Sequence, residues 1–314
     1  MTPNRLPSSG PHLIVAMITP FTPDGEVDQP SLRRLVAHLQ AGGVNEFFVV
    51  ASTGEAPLLD EPARLTIIET VRAAAPAGTV YAGVSGTGHR HAIRNCRDAA
   101  RAGADVAVVM SPFFVALDQA QLVDFSTAIA DASPLPLALY HHLRMPTPFA
   151  VPTVAKLAAH PNIVALKDTN GADHNRCAEI LAATAGTPLQ FFQGVEKLVL
   201  PTLAAGGHGC VVAQGNIAPH LFRGVLDAWQ AGDTARATEL QRQIDALWGI
   251  FLRPEVKQSF AHFLHTMKRP LQRRGVIVTT AGALPSVTFA PAYEQMIDDF
   301  MQQHLEPTLA PPQP

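Results

Sequence analysis

Short apolar runs recur along this chain at a fairly even interval, and a stretch with helical periodicity follows each one. The runs cover residues 13–18, 46–50, 80–84, 106–110, 136–140, 163–167, 189–192 and 209–213. They are too apolar to alternate, the pattern of strands buried on both faces of a parallel sheet. Between them, Leu32, Leu35, Val36 and Leu39 share one helical face behind Pro30, and Asp60 caps a second helix before Pro62. Further helices start near His89, Asp118, Pro152, Asn175, Glu196 and Pro219. Eight strand–helix units over 12–231 predict an α/β fold of the (β/α)8 TIM-barrel type, with its active site at the C-terminal ends of the strands. An open doubly wound sheet is the rival. It would usually carry a GxGxxG or GxxxxGKS/T turn, and neither is present. The glycine-rich run from Gly83 to Gly88 has the wrong order for both and reads as a flexible barrel-top loop.

Helical patterns over 234–252, 255–267 and about 290–304 exceed what a minimal barrel needs, so a C-terminal helical extension is expected over 232–307. Segments 1–11 and 308–314 contain proline and little else to anchor them, and are expected to be disordered. The apolar content of 47 % and charged content of 16 % describe a compact protein with ample core. A net charge of −3 argues against a nucleic-acid partner, and the basic pairs Lys268-Arg269 and Arg273-Arg274 read as a solvated helix end. Three widely spaced cysteines, Cys96, Cys177 and Cys210, form no CxxC pair and fit reduced thiols in a cytoplasmic protein. No run is long enough to span a bilayer, and no signal peptide opens the chain, so no membrane association is expected.

Three strand ends carry chemistry. Lys167 closes the sixth apolar run. An ammonium is costly to desolvate there, and it is the neutral amine that attacks a ketone to form a Schiff base. Tyr140 closes the fifth run, and adjacent strands stand about 4.8 Å apart, so both side chains can reach one point in the barrel mouth. A phenol there can shuttle protons as a carbinolamine loses water; taken alone, Tyr140 also reads as an amphipathic barrel-top residue with its hydroxyl in water. Ser52-Thr53-Gly54-Glu55 follows the second run, where small residues let backbone N–H groups converge on a carboxylate. Glu55 reads as a structural cap of that loop. Among thirteen histidines, the pairs His89/His91, His141/His142 and His262/His265 lack a third ligand at a favoured spacing, so no metal site is expected.

These residues resemble the dihydrodipicolinate synthase/N-acetylneuraminate lyase family of pyruvate-dependent class I aldolases. The resemblance runs from Val15-Ala16-Met17-Ile18-Thr19-Pro20-Phe21 to the C-terminal helices. It rests on Ser52-Thr53-Gly54-Glu55, Ser111-Pro112-Phe113-Phe114, Tyr140, Leu166-Lys167-Asp168-Thr169, Gly206-Gly207-His208-Gly209 and Asn216. It implies a Schiff base between Lys167 and pyruvate with no other cofactor, a proton relay through Tyr140, and carboxylate binding by Ser52 and Thr53. Arg144 and Val211 are expected among the substrate-binding residues. Phe114, His141, His142, Thr169 and Gly194 are candidate substrate-facing positions. A homotetramer, a dimer of dimers, is implied as well.

The chain departs from the pattern in three places. Phe114 stands where the synthases and sialate lyases carry a second relay tyrosine. Arg144 lies four positions after Tyr140, where true synthases have an arginine five positions on. Ala213 replaces a polyol-contacting serine of the sialate lyases. The expected activity is therefore aldol cleavage or condensation with pyruvate or a 2-keto-3-deoxy acid. The same imine would also serve a keto-deoxy sugar acid dehydratase or a true 4-hydroxy-tetrahydrodipicolinate synthase. Rivals of other classes are a metal-dependent barrel aldolase and a non-catalytic metabolite-binding relative.

Overall fold

Eight parallel strands close on themselves in chain order in this computed structural model, each hydrogen-bonded to the next and the eighth to the first. The structure describes Leu6 and residues 10–170, 173–257, 259–284 and 288–308. The segments expected to be disordered, 1–11 and 308–314, lie mostly outside the described residues. The strands are β1 (His12–Ala16), β2 (Glu46–Val49), β3 (Thr79–Gly83), β4 (Val106–Met110), β5 (Leu137–His142), β6 (Ile163–Thr169), β7 (Gln190–Gln193) and β8 (Gly209–Val212). The barrel helices are α1 (Gln29–Ala41), α2 (Glu61–Ala74), α3 (His89–Arg101), α4 (Gln119–Ala132), α5 (Val151–Ala158), α6 (His174–Ala183), α7 (Val199–Ala204) and α8 (Pro219–Gln230). The extension adds α9 (Thr234–Trp248), α10 (Pro254–Lys257), α11 (Phe260–Arg273) and α12 (Pro291–His304).

The strands are mostly apolar along their middles because each has two buried faces. Inward, Ile14, Phe48, Val108, Tyr140, Phe192 and Val211 fill the barrel; outward, Val15, Phe47, Val109, Leu139, Phe191 and Val212 pack beneath the helices. Helix starts follow local chemistry. Asp28, Asp60, Asp118, Asp173 and Asp233 each accept a backbone N–H at a first turn, and Asp118 completes a reciprocal capping box with Gln121. Closure of β8 on β1 needs Gly209: its φ is +144°, and a Cβ there would lie 2.2 Å from the His12 carbonyl oxygen.

Three expectations change. β5 and β6 run two residues beyond Tyr140 and Lys167, pairing His141 with Asp168 and His142 with Thr169; polar residues at a barrel mouth hide strand from a hydrophobic reading. The single helix expected over 255–267 is two, because Ser259 is extended (φ −157°) and caps α11 through its side chain. Lys268 is not solvated. It is fully buried in α11, where its Nζ donates to Glu55 Oε1 at 2.6 Å and to the Ala281 carbonyl at 2.7 Å. Arg269 beside it pairs with Asp298 and Glu294.

Candidate active site

Tyr140 and Lys167 are direct register partners on β5 and β6, so strand pairing alone brings the phenol and the amine together in the barrel mouth. A register irregularity between Leu137 and Ala138, which steps past Val164, sets this phase. Both side chains are buried, and the Lys167 Nζ lies 4.1 Å from the Tyr140 ring centroid and 5.4 Å from that of Phe48. The Tyr140 hydroxyl lies 3.3 Å from Ser52 Oγ, which links the strand pair to the turn after β2.

That turn is tied down from below and from the side. The amides of Gly54, Glu55 and Ala56 donate back to Ser52 and Ala51 carbonyls, while Thr19 Oγ1 donates to the Gly54 carbonyl. Glu55 sits in the left-handed region (φ 64°) with its carboxylate fully buried. One oxygen takes the Lys268 ammonium, and the other takes the Ala283 N–H at 2.8 Å. Burial pushes the Lys268 pKa down, and the Glu55 charge opposes the shift. Glu55 therefore caps the loop, and the extension reaches under the site to do it.

Opposite the turn, Gly194 follows β7 and presses on β6. A Cβ there would lie 2.0 Å from Thr169 Oγ1, 2.8 Å from the Asp168 carbonyl and 3.1 Å from Lys167 Cε. Gly194→Ala is expected to cost about 1–3 kcal/mol from overpacking and to slow any reaction at the amine. Urea melts together with turnover check this. A variant as stable and as active as the parent would mean the contact is relieved freely.

Glu196, which the sequence reading passed over as a helix start, lines the same cavity as Lys167. Its buried carboxylate accepts the Ala213 N–H at 3.0 Å and the Gln214 N–H at 3.4 Å. Burial raises its pKa, against those hydrogen bonds and the Lys167 charge. Its place four residues past the seventh apolar run was the available signal.

The two histidines part company, as successive strand residues must. His142 faces the cavity, and its Nδ1 accepts the Arg144 N–H at 3.0 Å. Burial, then the Lys167 and Arg144 charges, lower its pKa to about 4, so the ring is neutral at physiological pH. His141 points outward instead. It accepts the Phe149 N–H at 3.2 Å and lies against Asp168 and Arg176 behind the sheet. The candidate substrate-facing role of His141 is thereby corrected. Burial raises the Asp168 pKa to about 6 even with Arg176 beside it.

The remaining candidates gather around one cavity of about 630 Å³ lined by Ser52, Thr53, Thr169, Gly194 and Val211. Arg144 lies on its exposed rim, as does Phe114, which is 96 % exposed in a left-handed conformation (φ 70°). Among the described residues, no group of three or more histidine, cysteine or acidic side chains is placed to hold a metal ion, and no helix is long and apolar enough to cross a membrane. Such a cavity offers an amine nucleophile, a phenol beside it, hydroxyl groups within reach and a neutral imidazole above.

The dihydrodipicolinate synthetase family model matches residues 10–304. The chain belongs to that family. Membership makes it a lyase of the class I pyruvate-dependent aldolase type. It is 37 % identical over 236 residues to 4-hydroxy-tetrahydrodipicolinate synthase 1 of Streptomyces coelicolor, covering 73 % of this chain and 75 % of that one. The synthase of Acidiphilium cryptum is 36 % identical over 235 residues, covering 74 % and 79 %. Among solved structures, it resembles YagE, a prophage protein of the dihydrodipicolinic acid synthase family from E. coli K12 in complex with pyruvate. The TM-score is 0.86 and the identity 26 %, covering 93 % of this chain and 98 % of that one. Lys167, Tyr140, Ser52 and Thr53 line the same cavity.

Proposed function

We propose that the protein is a Schiff-base lyase that makes or breaks a carbon–carbon bond next to pyruvate. The observation that carries this reading is the register pairing of Tyr140 with Lys167, with Ser52 Oγ 3.3 Å from the phenol. The Lys167 amine adds to the C2 ketone of pyruvate, and loss of water leaves an imine that needs no further cofactor. Tyr140 and Ser52 move the protons that this dehydration requires. Ser52 and Thr53 hold the substrate carboxylate. Loss of a C3 proton gives an enamine, which attacks an aldehyde carbon; the aldehyde oxygen gains a proton, and water releases the product from Lys167. Cleavage of a 4-hydroxy-2-keto acid is the reverse.

Aspartate semialdehyde, the electrophile of a true 4-hydroxy-tetrahydrodipicolinate synthase, is expected to react poorly. Phe114 offers no proton, and Arg144 lies in water at the rim. The buried free thiols Cys96, Cys177 and Cys210 support a cytoplasmic setting. The exposed apolar pair Phe114 and Val115 supports the homotetramer that the resemblance implies.

Enamine formation can be read without any aldehyde. In D2O, the protein should exchange the methyl protons of pyruvate for deuterium, a change followed by proton NMR, and Lys167→Ala should not. Exchange that persists in Lys167→Ala would place the chemistry on another group.

A further inference from the structure

Away from Lys167, the cavity changes character. Phe113 from the β4–α4 connection and Met145 from the β5–α5 connection form one side. Trp248, Phe260 and Phe263 form the other, contributed by α9 and α11 of the extension. The aromatic side is continuous: Phe260 and Phe263 stack at 6.1 Å between centroids, and Phe251 bridges Phe263 at 5.4 Å and Trp248 at 5.5 Å. Trp248, Phe260 and Phe263 are only half-buried, so their faces remain open to a guest. A cavity of about 630 Å³ is the size of a site for a drug-sized ligand, well beyond the needs of six-atom pyruvate.

The polar lining includes Ser52, Thr53 and Thr169. Lys167 and Glu196 lie on the cavity floor, and Arg144 stands on the rim. Between floor and aromatic wall stands His142. Because its Nδ1 takes the Arg144 N–H, the neutral ring carries its hydrogen on Nε2. That is a hydrogen-bond donor suited to a carbonyl or hydroxyl oxygen at the reacting carbon. The ring faces of Trp248, Phe260 and Phe263 return none of the hydration that a charged group would lose against them, so this side favours an uncharged one.

Resting on the Schiff-base reading above, we infer that the second substrate is an uncharged aromatic aldehyde, its ring against Trp248, Phe260 and Phe263 and its oxygen at His142. The product is a 4-aryl-4-hydroxy-2-oxobutanoate. The bond formed joins pyruvate C3 to the aldehyde carbon, the aldehyde oxygen becomes the hydroxyl, and hydrolysis of the imine returns the Lys167 amine.

The test compares kcat/KM for benzaldehyde, glyceraldehyde and aspartate semialdehyde at saturating pyruvate, with pyruvate deuterium exchange measured on the same sample. We expect benzaldehyde to exceed both others by about 10- to 100-fold, the range that apolar pocket contacts supply. Phe263→Leu should narrow that preference, and Phe263→Ala should narrow it further by raising KM for benzaldehyde more than for glyceraldehyde. Exchange with no benzaldehyde preference would overturn the aromatic assignment and leave the Schiff base standing. Loss of exchange in the parent protein would overturn both.

Discussion

Replacing Tyr140 by phenylalanine is expected to lower kcat by about 10²- to 10⁴-fold, the scale of losing a positioned acid–base group. The ring is held by Phe48 at 6.2 Å and His142 at 5.9 Å between centroids, both edge-on, so the substitution keeps its packing. Only the hydroxyl and its contact with Ser52 disappear. Pyruvate should still bind, since its carboxylate is assigned to Ser52 and Thr53. The KM for pyruvate should therefore change much less than kcat. Steady-state kinetics with both parameters resolved check this, and wild-type turnover in the variant would move the proton relay to another residue.

The second large effect is on stability. Lys268→Met is expected to destabilise the fold by about 3–5 kcal/mol, because it leaves the Glu55 carboxylate buried and uncompensated. Both side chains are fully buried, and the pair joins residues 213 positions apart. The Ala283 N–H is the one neutral donor left to that carboxylate among the described contacts. Adding Glu55→Gln to Lys268→Met should recover much of the loss, since the buried charge is then gone. Urea melts of the two variants decide this. A single variant within about 1 kcal/mol of the parent, the scale of an exposed pair, would mean that water reaches Glu55. The turn bearing Ser52 and Thr53 rests on Glu55, so the single variant should also raise the KM for pyruvate.

Much of this fold was legible because parallel barrel strands are buried on both faces, which turns them into uninterrupted apolar runs. Lys167 and Tyr140 stood out for the same reason: a reactive group at the end of such a run has few other places to be. Legibility failed where hydrophobicity stopped tracking structure. The His141–His142 and Asp168–Thr169 pairs extend β5 and β6 while looking like loop. Strand alternation could still have separated an outward His141 from an inward His142. The Lys268–Glu55 pair was out of reach because basic residues near a helix end usually lie in water, and nothing local marks an exception. The aromatic wall was hidden for a different reason. Trp248, Phe260 and Phe263 come from a segment that looked like mere packing for the extension, and only the tertiary fold turns them toward the barrel mouth.

The most direct measurement of the central claim is covalent capture. Incubating the protein with pyruvate and sodium borohydride, followed by peptide mass spectrometry, should find one reduced pyruvyl group on the peptide carrying Lys167. The adduct should be absent from Lys167→Ala and present in Tyr140→Phe, which keeps the amine. An unmodified Lys167 under conditions where pyruvate is shown to bind would contradict the account.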